Sequence, residues 1–131
     1  MIFDTSALLA ILKDGRVLEK LGKVDAVRIP SVCAFELLRG AVYLNVSKGA
    51  KKELEVVMDL LEEAEIIPLE WSDVRIASYL WTKLKSKGMS VPDPDVMAAA
   101  TAIRLGEKVV SADRDFWTIK EVAKELELVL L

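Results

Sequence analysis

Histidine is absent from the 131 residues, and cysteine occurs once, at Cys33. These gaps exclude Ser–His triads, imidazole acid–base pairs, histidine-ligated zinc, multi-cysteine metal sites and any internal disulfide. Glutamine is also absent and Asn45 is the only asparagine, whereas Lys and Glu abound. That bias is common in hyperthermophile proteins and points to a heat-loving source. Aromatics are 6% of a chain that is 53% hydrophobic, so the interior is expected to be aliphatic and alanine-rich. No apolar run approaches the roughly 20 residues of a bilayer span, and Met1 leads straight into an apolar stretch without the basic segment of a signal peptide. The expectation is a soluble, cytoplasmic protein with no membrane partner. A net charge of −3 argues against a broad basic nucleic-acid surface but leaves a local site open. Any chemistry must use carboxylates, lysine, hydroxyls or a bound metal.

What is present is a regular alternation of short aliphatic strands and longer helical patterns. Strands are expected at MIFD (1–4), AVRIP (26–30), EIIPL (65–69), around Val109-Val110 and at 128–131. Between them, a helix starts at Thr5 or Ser6 and closes near Gly15, and a short one follows over 16–21. Ser31 is read as the cap of a helix running to about Leu44, with Phe35, Leu38 and Val42 as its core-facing stripe. Residues 49–64 form an amphipathic surface helix carrying Leu54, Val57, Met58 and Leu61. Helices over 72–87 and 93–105 end at Gly88 and Gly106, and a short helix lies in the tail. Cys33, among Val32, Ala34 and Phe35, reads as a core thiol. This pattern predicts one compact α/β domain over residues 1–131, with a central parallel sheet of four to five strands and helices on both faces.

The most specific stretch is VPDPDVMAAATA at 91–102. Asp93 suits an N-cap, Pro94 the first helical position and Asp95 the first turn, where the helix dipole favours negative charge. In an open parallel sheet, ligands bind beyond the carboxyl ends of the strands, where strand order reverses. Asp4 ends the first strand, and Asp113 and Asp115 follow the strand after the alanine-rich helix. Asp95 reaches that edge only if the helix over 72–87 carries the chain back to it, which two successive helices permit. Glu36 lies within an apolar run, an unusual place for a solvated acid. Taken singly, each acid reads equally well as a cap or a surface residue. If Asp4, Glu36, Asp95 and Asp113 meet, each pair about 4 Å apart repels by roughly 4 kcal/mol at an effective dielectric near 20. A hard divalent cation with oxygen ligands, Mg²⁺ or Mn²⁺, answers that repulsion and can activate a water as nucleophile.

Four blocks, IFDTSALL, AFELLRG, DVMAAATA and VVSADRDF, carry a resemblance in their order and spacing over essentially the whole chain. The chain resembles PIN-domain ribonucleases, and in size and layout the VapC-like toxin of a VapBC toxin–antitoxin pair. The resemblance implies an Mg²⁺- or Mn²⁺-dependent endoribonuclease whose catalytic, metal-holding acids are Asp4, Glu36, Asp95 and Asp113, with Asp115 as an outlying fifth. Ser6 matches a supporting hydroxyl, against a simple capping role, and Asp93 is a cap or an outer ligand. Arg39 and Arg114 are candidates for RNA phosphate contact, with Lys85 and Lys87 behind them. Trp71, Trp81 and Trp117 are either base platforms or packing anchors. The implied partners are RNA, a second copy in a homodimer and a small VapB-like antitoxin. Ala98 departs from the family's usual aliphatic residue, a difference of packing. Four rivals remain: phosphoryl transfer through an aspartyl phosphate at a DxD motif, a response-regulator-like receiver, a housekeeping RNA-processing nuclease, and an inactive PIN-like binding module.

Overall fold

In the computed structural model, which describes residues 1–131, five short parallel strands stand in the order β3-β2-β1-β4-β5. They are β1 (Ile2–Phe3), β2 (Arg28–Pro30), β3 (Glu65–Ile67), β4 (Val109–Ser111) and β5 (Leu128–Leu130). Ile2, Phe3, Ile29, Val109 and Val110 are all essentially inaccessible to solvent. These strands read as unbroken apolar runs because helices cover the sheet on both sides. The chain leaves β1 toward β2 and β3 on one side and returns through β4 and β5 on the other. Strand order therefore reverses between β1 and β4, which pair directly through Ile2 with Val109 and Phe3 with Val110.

Seven helices connect the strands: α1 (Thr5–Lys13), α2 (Arg16–Lys20), α3 (Ser31–Lys48), α4 (Lys51–Glu63), α5 (Trp71–Ser86), α6 (Asp93–Leu105) and α7 (Asp115–Val122). Asp73 near the head of α5 meets Thr101 and Arg104 near the tail of α6, so these two helices run antiparallel. In α6, Ala98, Ala99, Ala100 and Ala102 are buried, and their methyl-sized side chains let α3, α5 and α7 close around the helix. Gly88 and Gly106 close α5 and α6 in the left-handed region, with φ of 69° and 64°, which glycine adopts without a Cβ clash.

The structure corrects several local expectations. Both α3 and α6 are led in by a proline, Pro30 at ψ 139° and Pro92 at ψ 141°, so each helix starts one residue earlier than expected. Ser31 is consequently the first residue of α3, and its Oγ accepts the Leu69 N–H at 3.2 Å instead of capping the helix. Asp93 is likewise the first residue of α6, exposed and without a capping hydrogen bond, and Pro94 falls at the second position. That placement is harmless because the first turn's N–H groups have no partner within the helix. Helix α3 runs to Lys48 and buries Cys33, Leu37 and Ala41, whereas Phe35 and Val42 face outward. Apolar residues occur around most of its circumference, so spacing alone does not single out the inner face. Gly15 has ordinary right-handed geometry and leads α2 in, while Asp14 closes α1. Met58 is also partly exposed, leaving Val57 as the buried residue of α4.

Candidate active site

The chain turns from β1 into α1 at Asp4, and the need to cap α1 shapes that corner. Asp4 is almost wholly buried, adopts extended backbone at the N-cap, and accepts the Ala7 N–H at 2.8 Å. Ser6 Oγ donates to the same carboxylate at 2.8 Å, and Ser111 Oγ, from the end of β4, donates at 2.7 Å. Burial pushes the Asp4 carboxyl above its ordinary range; the hydrogen bonds from Ser111, Ala7 and Ser6 oppose this, and the nearby charge of Asp113 adds to it. Ser111 and Ser6 also tie the β4 turn into place, accepting the Asp113 and Ala112 N–H groups at 2.9 Å each. The two strands at the reversal point are thus stitched together by two hydroxyls around one carboxylate.

Beyond that corner, the other acids face the same space. One carboxylate oxygen from each of Asp95, Asp113 and Asp115 lies within 4.8 Å of the others. Asp113 Oδ1 accepts the Asp115 N–H at 2.9 Å. Asp95 accepts no hydrogen bond, and its carboxyl is pushed up to about 7. Burial is the largest cause, followed by the charges of Asp113, Asp4, Glu36 and Asp115. Asp115 is raised by burial and by Asp113. Glu36 reaches the cluster from α3, its Oε1 accepting Thr5 Oγ1 at 2.9 Å. Cys33, one turn before it, is buried and its thiol is pushed up to about 12, first by burial and then by the charge of Asp4, which makes it inert as a nucleophile.

All five acids predicted from sequence therefore come together electrostatically, Asp95 included, and Ser6 belongs to the group. Asp93 stands on the adjacent surface without any hydrogen bond to it. Arg39 lies at the rim, 3.9 Å from Glu36 and with its guanidinium 5.1 Å from the centre of the Phe35 ring. Arg114 is exposed between Asp113 and Asp115. Lys85 instead stands 5.9 Å from the centre of the Trp81 ring, and Trp71, Trp81 and Trp117 are all substantially exposed. Two supporting residues escaped the sequence reading. Thr5 reads in the sequence only as a helix start, although it follows the strand-ending acid directly. Ser111 reads in the sequence as part of a strand, although a hydroxyl closing an apolar strand just before two acids is a usable signal.

No helix is long and apolar enough to cross a membrane. The donor set is oxygen-only, and the Asp95 and Asp115 carboxylates accept no hydrogen bond although they lie within 4.8 Å of each other and of Asp113, which fits a hard divalent cation. The profile of the PIN domain matches residues 1–125. No curated protein matches in sequence. Among solved structures, the DNA-bound VapBC of Salmonella typhimurium matches with a TM-score of 0.80 at 21% identity, over 98% of this chain and 95% of that one. VapBC2 of Rickettsia felis, bound to a promoter DNA fragment, matches with a TM-score of 0.79 at 23% identity, over 99% and 98%. FitAcB of Neisseria gonorrhoeae matches with a TM-score of 0.75 at 20% identity, over 97% and 94%. At such identities the structural likeness establishes the fold. Together with a profile match spanning nearly its whole length, it leads to one assignment: the chain belongs to the PIN-domain family.

Proposed function

We propose that this protein is an Mg²⁺- or Mn²⁺-dependent endoribonuclease and the toxin of a type II toxin–antitoxin pair. The observation that carries the reading is the gathering of Asp4, Glu36, Asp95, Asp113 and Asp115 at the strand reversal, with no cationic side chain among them closer than Arg39 at the rim. Asp4, Glu36, Asp95 and Asp113 would hold the cation, with Asp115 beside them. A cation there would neutralise the cluster, polarise a phosphate oxygen and lower the pKa of a water enough for attack at neutral pH. The chain's own contribution is orientation: Ser6, Ser111 and the Ala7 N–H fix Asp4, and Thr5 fixes Glu36. Arg39 and Arg114 would bind phosphates flanking the scissile bond, positioning the strand without reading its sequence.

The structural relatives solved as VapBC complexes support an antitoxin partner. A groove of about 680 Å³ between α1, α3 and α4, lined by Leu9, Leu12, Leu44 and Val56, opens beside Thr5 and Glu36 and suits an apolar antitoxin segment. Exposed Tyr43 and Val46 on α3, and Trp71 and Tyr79 on α5, support a homodimer. The direct test incubates the purified protein with single-stranded RNA and Mn²⁺ beside an Asp4→Asn variant. Cleavage by the wild type and not by the variant is expected; equal cleavage by both overturns the assigned site.

A further inference from the structure

The second notable acid cluster lies at the opposite end of α6 and was not anticipated from sequence. Asp73 has no accessible surface, yet it collects the Glu70 N–H at 3.0 Å, Thr101 Oγ1 at 3.1 Å, Arg104 Nη2 at 3.1 Å and Arg104 Nε. Arg104 Nη1 also lies 3.5 Å from Glu70. Two residues from the head of α5 thus grip two residues from the last turns of α6. We propose that the Asp73–Arg104 pair is a positioning device for the acidic site: it fixes how far α6 slides along α5 and so sets where Asp95 stands among the other acids. This rests on the site described under Proposed function.

Three observations support it. First, helix packing is held in register by side-chain ridges meeting grooves. Along its middle turn, from Ala98 to Ala102, α6 carries only alanines and Thr101, so the larger side chains that could interlock, such as Val96, Met97 and Ile103, stand to either side of that turn. Second, the head of α6 is not fastened by a side-chain cap, and Asp95 there accepts no hydrogen bond while its carboxylate stands within 4.8 Å of those of Asp113 and Asp115. Third, Asp95 and Arg104 lie nine residues apart on one uninterrupted helix, about 14 Å along its axis, so an axial slip at one end appears undiminished at the other. A functional constellation tolerates displacements of only about 0.5 Å. Stability does not by itself account for the pair, because well-packed apolar residues commonly do as well as a buried ion pair; setting register is the best-attested use of such pairs.

The test compares wild type, Asp73→Asn and the milder Thr101→Val by amide hydrogen exchange and by Mn²⁺ titration calorimetry, at a temperature where circular dichroism shows each to be folded. If Asp73→Asn does not fold, Thr101→Val is the variant read. The expected result is exchange about tenfold faster at residues 96–99, with β1 and β4 unchanged, and Mn²⁺ affinity reduced several-fold. Faster exchange confined to 70–74 and 101–105, or spread evenly over the molecule, overturns the proposal, as does unchanged Mn²⁺ affinity beside a wild type that binds. A wild type that binds no Mn²⁺ overturns the metal-site reading alone, and the exchange pattern then decides the positioning role by itself.

Discussion

Asp73 and Asp95 sit at opposite ends of the same antiparallel helix pair, and they are treated oppositely. Burial raises both carboxyls, but around Asp73 the hydrogen bonds of Arg104, the Glu70 N–H and Thr101 outweigh it, and the carboxyl ends below its ordinary range. Around Asp95 every neighbouring charge is negative, and its carboxyl rises to about 7. Withdrawal from water is common to both; the sign of the company decides the outcome. A fold able to supply an arginine and a threonine to one acid leaves five others facing each other with no cationic side chain nearer than Arg39 at the rim. That contrast separates a satisfied ion pair from the acid cluster on which the proposed function rests.

Removing the partner from the satisfied end gives the largest expected effect. Arg104→Ala leaves Asp73 buried without its guanidinium and should cost about 3–5 kcal/mol in denaturant unfolding; a loss below about 1 kcal/mol would mean the two ends are less different than described. At the unsatisfied end the sign should invert. Asp95→Asn removes a repelled charge, so the metal-free protein should gain stability, while RNA cleavage falls by roughly 100-fold, about 2.7 kcal/mol in the barrier. Loss of stability together with retained cleavage would erase the contrast. The smallest effect is expected between these extremes, at Asp4, the acid of the cluster that accepts the most hydrogen bonds. Ser111→Ala takes one hydrogen bond from Asp4 and an acceptor from the Asp113 N–H, and should cost about 1–2 kcal/mol while raising the Asp4 carboxyl further. Unfolding curves measured beside the wild type check it.

The strands and the edge at which the acids meet were legible in the sequence because both follow from strong rules: aliphatic runs bounded by turn residues, and ligand sites at the carboxyl edge of a parallel sheet. That rule places Asp4, Asp113 and Asp115 directly, whereas for Asp95 two successive helices only permit the same edge and the family resemblance assigns it there. Less legible was anything set by partners remote in sequence. Asp73 reads as an ordinary first-turn acid of α5, and its partner Arg104 stands 31 positions away. The one sign was a lone base in an otherwise alanine-rich helix. The inner face of α3 was misread because Phe35, Leu37, Leu38, Ala41 and Val42 point around much of the helix, and only packing decides between them. Capping was misread at Ser31 and Asp93 because a proline in extended geometry leads into the helix just as well as a hydrogen-bonding side chain.

The central claim is that the acids are gathered for a divalent cation, and the thermal unfolding of wild type and Asp95→Asn with and without millimolar Mn²⁺, across pH, tests it most directly. The folded Asp95 carboxyl, at about 7, lies above the ordinary 3.8, so between those values the folded state binds more protons than the unfolded one. The metal-free wild type should be most stable below about pH 4 with respect to this group and lose that stability as pH rises through about 7. Asp4 and Asp115, also raised, act in the same direction. Mn²⁺ should restore the loss, raising the melting temperature of the wild type strongly near pH 8, weakly near pH 5, and little in Asp95→Asn. A wild type unmoved by Mn²⁺ near pH 8, or a variant shifted equally, would contradict the account.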